Sequence, residues 1–213
     1  MSEFDVHTIL DDAVAKYNNG CLQEAVQLSN QILKNSPDNP DALNLLGIVA
    51  SRRGQLDVAT KLLQKAIRHA PDRPSFLNNL ANLLVEQNRV DEALKIYYRV
   101  LRINPALAEV RHNVGCLLQR QGKLKEAIKF YRSAVDINPK YVGAYTNLGS
   151  LLQEQGEYYQ AIKVYKQALE VNPNIPEIYN NIGIILQIQG FINQNSRKEY
   201  DGIIINAAGY THT

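Results

Sequence analysis

Cysteine is scarce: Cys21 and Cys116 are the only two in 213 residues. Two thiols make no disulfide framework, and both are expected to stay free in a reducing compartment. Long apolar runs are missing as well, since no stretch approaches the roughly 18 residues a membrane helix requires. The N-terminal Met1, Ser2, Glu3, Phe4, Asp5, Val6 and His7 do not place a basic segment before an apolar one, so no secretory signal is expected. Charge of either sign is not in excess. The net value is +2, spread without long runs, which gives no footprint for nucleic acid or anionic lipid. What remains is ordinary for a folded protein, with 45% apolar and 21% charged residues, and a cytoplasmic location is expected.

What is present is periodic. Pro37, Pro71, Pro105, Pro139 and Pro173 are spaced 34 residues apart. Ala25, Ala59, Ala93, Ala127 and Ala161 repeat at the same interval, as do Gly47, Ala81, Gly115, Gly149 and Gly183, and Tyr97, Tyr131 and Tyr165. Within one unit the apolar pattern is helical. Tyr145, Leu148, Gly149 and Leu152 share one helix face, Gln155 and Gly156 interrupt it, and Ala161, Val164, Tyr165 and Ala168 form a second face. Asn172 and Pro173 close the unit, because proline cannot continue the helix and pushes its predecessor out of the helical region. Each unit is predicted to be a helix–turn–helix hairpin. The units run over 6–39, 40–73, 74–107, 108–141 and 142–175, with a partial sixth at 176–190.

The small residues have a packing reason. Glycine or alanine at the eighth position of the first helix lets the second helix approach closely, at its own alanine. Larger groups there would cost about 1–3 kcal/mol in strain or lost contact. The tyrosine four residues beyond that alanine is expected to fill the core and pack towards the next unit. The residues Gly47/Ala59/Pro71, Ala81/Ala93/Tyr97/Pro105, Gly115/Ala127/Tyr131/Pro139 and Gly149/Ala161/Tyr165/Pro173 resemble tetratricopeptide (TPR) repeats, and the resemblance covers about Val6 to Gly190. It implies an all-α, right-handed solenoid of five hairpins plus one helix, acting as a protein-interaction scaffold rather than an enzyme, without cofactor or metal. Asp12 and Lys16 stand where apolar residues belong, which suits an N-terminal cap with one wet face.

Helix geometry then separates core from surface. At about 100° per residue, positions 4, 7, 8 and 11 of a unit fall on one side, and positions 2, 5, 6, 9, 12 and 13 on the other. In stacked helix pairs the first helices line the concave wall, the usual binding surface. Position 6 there reads Asn79, Asn113, Asn147 and Asn181. Position 12 gives Gln119, Gln153 and Gln187, and position 5 adds Asn44, Asn78 and Asn180. Asparagine is a mediocre helix former, so propensity does not explain the ladder. A row of amides offers donors and acceptors to the main chain of an extended peptide. Alternatively, the asparagines bond between neighbouring helices, or repeat because the units arose by duplication. The ladder resembles that in the repeat arm of O-linked N-acetylglucosamine transferases and related bacterial proteins. That resemblance implies that Asn79, Asn113, Asn147 and Asn181 hold a protein substrate or partner, and raises the alternative of a substrate-recruiting arm of a glycosyltransferase.

Other features of that face are less directed. His112 and Cys116 sit one turn apart, but two ligands are too few for a closed zinc site. A Cys–His catalytic pair needs an orienting third group and an oxyanion site, and no motif supplies them. The lysine-rich clamp with which some co-chaperone repeats capture a C-terminal carboxylate is missing. RNA binding, the use of the similarly sized pentatricopeptide repeats, is disfavoured by the near-neutral charge.

The register fails after Gly190, where Asn195 stands in place of the expected alanine. The segment Tyr200, Asp201, Gly202, Ile203, Ile204, Ile205, Asn206, Ala207, Ala208, Gly209, Tyr210, Thr211, His212 and Thr213 resembles the substrate-loop motif of type II 3-dehydroquinate dehydratases. That resemblance implies that Asn206 and His212 once met substrate hydroxyls. The rest of that enzyme's motifs are missing, so 191–213 reads as a non-repeat remnant of a truncated fusion or altered reading frame; the alternatives are an expression scar, or a strand that pairs with another chain. On the sixth unit's first helix, Tyr179, Ile182 and Leu186 form the expected core face, whose partial exposure could drive self-association.

Overall fold

The computed structural model describes residues 5–190. The tail at 191–213, including Asn206 and His212, lies outside the described residues. Among the described residues the secondary structure is entirely α-helical. Helices α1 (Val6–Asn18), α3 (Pro40–Arg52), α5 (Pro74–Glu86), α7 (Ala108–Arg120) and α9 (Val142–Glu154) open the successive hairpins. Helices α2 (Leu22–Asn35), α4 (Leu56–His69), α6 (Val90–Ile103), α8 (Leu124–Ile137) and α10 (Tyr158–Val171) close them. A further helix, α11, occupies 176–190, up to the last described residue. The chain divides into two compact units, breaking after Val110 near the start of α7.

Local chemistry sets the helix ends. Asp5 caps α1 by accepting from the His7 amide at 3.0 Å, and Asn39 caps α3 by accepting from the Ala42 amide at 3.0 Å. Pro40 and Pro74 begin α3 and α5, where a missing N–H costs nothing. Every turn inside a hairpin uses one device. Its central residue takes a positive φ, at Gly20, Gly54, Asn88, Gly122 and Gly156. The next residue's N–H then reaches back to a carbonyl near the helix end, as in Gln55 to Ala50 at 2.9 Å and Arg89 to Leu84 at 2.8 Å. Asn88, at φ 58°, is the non-glycine member, and asparagine is among the few L-residues that visit this region routinely.

In the first unit, Ala13, Ala25 and Ala59 are fully buried, and Leu43, Ala66 and Phe76 form a core against Leu33, Leu62 and Ile67. Asp12 is exposed and Lys16 half-exposed, with Lys16 Nζ on Glu24 at 2.5 Å, so the expected wet face of the first hairpin carries ionic groups. In the second unit the fully buried large side chains are Tyr131, Tyr165, Leu118, Leu151, Ile178 and Ile185.

Two details of packing sharpen the expectation. The atoms nearest the eighth-position glycines of α3, α7 and α9 belong to the residue four beyond the second helix's alanine. A Cβ on Gly47 would stand 2.7 Å from Leu63, one on Gly115 2.6 Å from the Tyr131 ring, and one on Gly149 2.4 Å from the Tyr165 ring. The Tyr131 and Tyr165 rings therefore lie over their own hairpin's glycine, and the Tyr165 hydroxyl reaches Asn181 of the next repeat. On α11 the inward residues are Ile178 and Ile185, both 0% exposed, whereas Tyr179 and Leu186 are 55% and 56% exposed. Of the expected stripe, Tyr179 and Leu186 are thus exposed and Ile182 is half-buried.

Candidate functional site

The amides that the sequence places on the first-helix face are built into a local network. In the first unit, Asn79 Nδ2 donates to Asn44 Oδ1 at 3.0 Å, tying α5 to α3. Asn78, beside it, is half-buried, and its Oδ1 is buried without a hydrogen-bond partner. In the second unit, Asn147 Nδ2 reaches His112 Nε2 at 2.9 Å and Cys116 Sγ at 3.4 Å, tying α9 to α7. Asn181 Nδ2 donates to the Tyr165 hydroxyl at 3.2 Å, tying α11 to α10. Asn113 is half-buried, and Asn180 and Gln187 are exposed.

The position-12 amides answer the tyrosines. The Tyr131 hydroxyl donates to Gln119 Oε1 at 2.8 Å, and the Tyr165 hydroxyl donates to Gln153 Oε1 at 3.2 Å. Position 12 of the third repeat is Val85, which cannot accept, and Tyr97 there donates to Asn82 instead. The residue at position 24 of the preceding repeat does not by itself set the ladder's partners. Tyr165 precedes Asn181 and receives its amide. Tyr131 precedes Asn147, whose amide reaches His112 and Cys116. Leu63 precedes Asn79 and has no hydroxyl, and Asn79 donates to Asn44.

Electrostatics follow from this burial. Desolvation holds the Tyr165 hydroxyl above the ordinary phenol value, against hydrogen bonds from Asn181 and Ser150 that pull the other way. Tyr131 is raised strongly, first by burial and then by its neighbour Cys116. For the Cys116 thiol burial acts upwards, but hydrogen bonds with His112, Tyr131 and Asn147 outweigh it and leave the thiol below its ordinary value.

His112 is the centre of an arrangement the sequence did not disclose. Its Nε2 lies 3.6 Å from Cys116 Sγ, and its Nδ1 lies 3.1 Å from the Tyr141 hydroxyl. The Tyr141 and Tyr131 rings flank the imidazole at 5.0 and 5.6 Å between centroids. Tyr141 precedes α9 and lies off the helical pattern, so no angular projection pairs it with His112. Among the described residues no group of three or more His, Cys, Asp or Glu side chains could hold a metal. On the second-helix side a separate cleft of about 490 Å3 is lined by residues including Arg132, Tyr145, Tyr159 and Lys163, and none of the candidate amides lines it.

Family models of the tetratricopeptide repeat match residues 18–74, 72–140 and 130–163, and a TPR repeat model matches 150–190. These matches join into one span from 18 to 190, and the chain belongs to the tetratricopeptide-repeat family. Solved structures agree on the fold. A crystal structure of MamA superposes with TM-score 0.66 and 22% identity, covering 79% of this chain and 92% of that one. A MamA RS-1 double mutant gives TM-score 0.69 at 17% identity, covering 81% and 97%. YrrB, described as a TPR protein with an unusual peptide-binding site, gives 0.64 at 19%, covering 83% and 91%. At these identities the likeness concerns the fold. No curated protein sequence matches the chain. No described helix is long and apolar enough to cross a membrane.

Proposed function

We propose that this chain is a protein-interaction scaffold, without catalytic activity of its own, that holds an extended segment of another polypeptide on its first-helix face. The observation that carries this reading is the anchoring of Asn79, Asn147 and Asn181 through their amide nitrogens. Each amide is turned by an intramolecular partner, so its carbonyl oxygen is pre-aimed as an acceptor for a backbone N–H. Preorganisation of this kind lowers the ordering cost of binding. Main-chain contacts also select weakly among ligand side chains. The intramolecular bonds that would make the asparagines merely structural are thus compatible with a binding role, because they use the donor end of the amide.

The test is an array of extended peptides of varied sequence, probed with the parent chain and with an Asn79→Ala, Asn147→Ala, Asn181→Ala variant. The proposal expects the parent to bind many unrelated peptides and the variant to lose most of them while keeping its helical signal. Unchanged binding by the folded variant would make the ladder structural.

The resemblance of the ladder to transferase repeat arms supports recruitment of a protein substrate as the finer version of the same reading. A dehydratase-derived tail would not alter it. A second reading, self-association, is favoured by one observation: Tyr179 and Leu186 present apolar surface on α11 at 55% and 56% exposure. Sedimentation of the parent and of a Tyr179→Ser, Leu186→Ser variant separates the two, since peptide capture does not require a dimer.

A further inference from the structure

Cys116 belongs to a constellation the scaffold reading leaves unused. Its sulfur stands 3.6 Å from His112 Nε2, within reach of proton exchange, on the helix face shared with the ladder. The other imidazole nitrogen is held at 3.1 Å by the Tyr141 hydroxyl, an orienting third group of the kind an activated nucleophile needs. Asn147 Nδ2 points a donor at the sulfur from α9 at 3.4 Å, and the Tyr131 hydroxyl approaches from α8. The Asn147 donor favours negative charge on sulfur directly, and the oriented imidazole does so as a base. Access is preserved too. Cys116 is partly exposed, and position 2 of the neighbouring repeat is Gly143, where the other repeats described carry His7, Asp41, Ser75, Glu109 and Glu177. A Cβ on Gly143 would stand 4.0 Å from His112 Nε2, so any larger side chain there would overhang the imidazole.

We propose that Cys116 and His112 form a nucleophile–base pair that makes Cys116 a site of covalent oxidation by small hydroperoxides. The thiol proton passes to His112 Nε2 as the Asn147 amide, which lies 2.9 Å from that nitrogen and 3.4 Å from the sulfur, gives up the nitrogen and donates to the sulfur, which leaves a thiolate beside an imidazolium. The sulfur attacks the terminal oxygen of the hydroperoxide, a sulfur–oxygen bond forms and the oxygen–oxygen bond breaks. Sulfur loses two electrons to become a sulfenic acid, and the departing alkoxide takes the proton from His112 and leaves as an alcohol. Tyr141 is a positioning residue, acting through the imidazole. The lowered thiol value agrees with this geometry.

The experiment uses the full chain carrying Cys21→Ser, so that Cys116 is its single thiol. The pH dependence of alkylation by iodoacetamide is compared with that of the same chain unfolded in urea, where a free cysteine titrates near about 8.5. The folded chain is expected to titrate below its unfolded reference, and His112→Gln and Tyr141→Phe to move the midpoint back towards it. Treatment with tert-butyl hydroperoxide and then dimedone is expected to label the Cys116 peptide at least several-fold faster in the folded parent than in His112→Gln. A folded midpoint at or above the unfolded one overturns the proposal. So does equal labelling in parent and His112→Gln when both keep full helical signal.

Discussion

The Tyr165 hydroxyl receives the Asn181 amide at 3.2 Å, so the ladder residue of one repeat is seated on the core tyrosine of the repeat before it. The same hydroxyl donates to Gln153 at 3.2 Å. A residue chosen by its exposed angle is thereby connected to the most buried aromatic of the neighbouring hairpin, and several consequences can be measured.

Asn181→Ala should destabilise the chain by about 0.5–1.5 kcal/mol in urea unfolding, the usual worth of one hydrogen bond. Its neighbour Asn180 is exposed, and Asn180→Ala should stay within about 0.5 kcal/mol. Equal effects at the two positions would remove the distinction.

Gly149→Ala should cost about 1–3 kcal/mol, because its Cβ would fall 2.4 Å from the Tyr165 ring and the ring must shift within a filled core. In a Tyr165→Ala background the same change should cost far less. A double-mutant cycle by chemical denaturation reads that coupling directly.

Asn88 occupies the left-handed region at φ 58°. Asn88→Gly should be neutral or slightly stabilising. Asn88→Val should cost about 1–2 kcal/mol, since a β-branched residue is strained there. Thermal denaturation of the pair against the parent checks the sign.

Alkaline stability should bend downward above about pH 10. The folded values of Tyr131 and Tyr165 are raised by burial, so both hydroxyls stay protonated when the unfolded chain has begun to lose those protons. The unfolded state then binds fewer protons, so stability fully present below the unfolded value starts to fall there and goes on being lost as pH rises towards the folded values. A Tyr131→Phe, Tyr165→Phe variant should show a shallower decline between pH 9 and about 11.5.

The fold was legible because the repeat states it several times over: Ala25, Ala59, Ala93, Ala127 and Ala161 are each fully buried. What faces what was less legible. An angular projection gives the direction of a Cα–Cβ vector but not the rotamer beyond it, so the close approach at the position-8 glycine was legible but not that a tyrosine ring or Leu63 supplies its nearest atoms. The asparagine positions were visible, yet their partners differ from repeat to repeat: Asn44 for Asn79, His112 and Cys116 for Asn147, and the Tyr165 hydroxyl for Asn181. The His112 and Tyr141 pair was invisible because Tyr141 lies between helices, where no periodicity applies.

The claim that the ladder grips main chain is tested most directly by backbone N-methylation of a bound peptide. For any peptide selected on the array, affinity is measured by fluorescence anisotropy for the parent peptide, a version with a shuffled sequence, and a version N-methylated at alternate residues. The scaffold account predicts that shuffling changes the Kd less than about threefold, while N-methylation weakens binding about tenfold or more, the worth of one or two hydrogen bonds. Retained affinity after N-methylation, together with loss on shuffling, would contradict it.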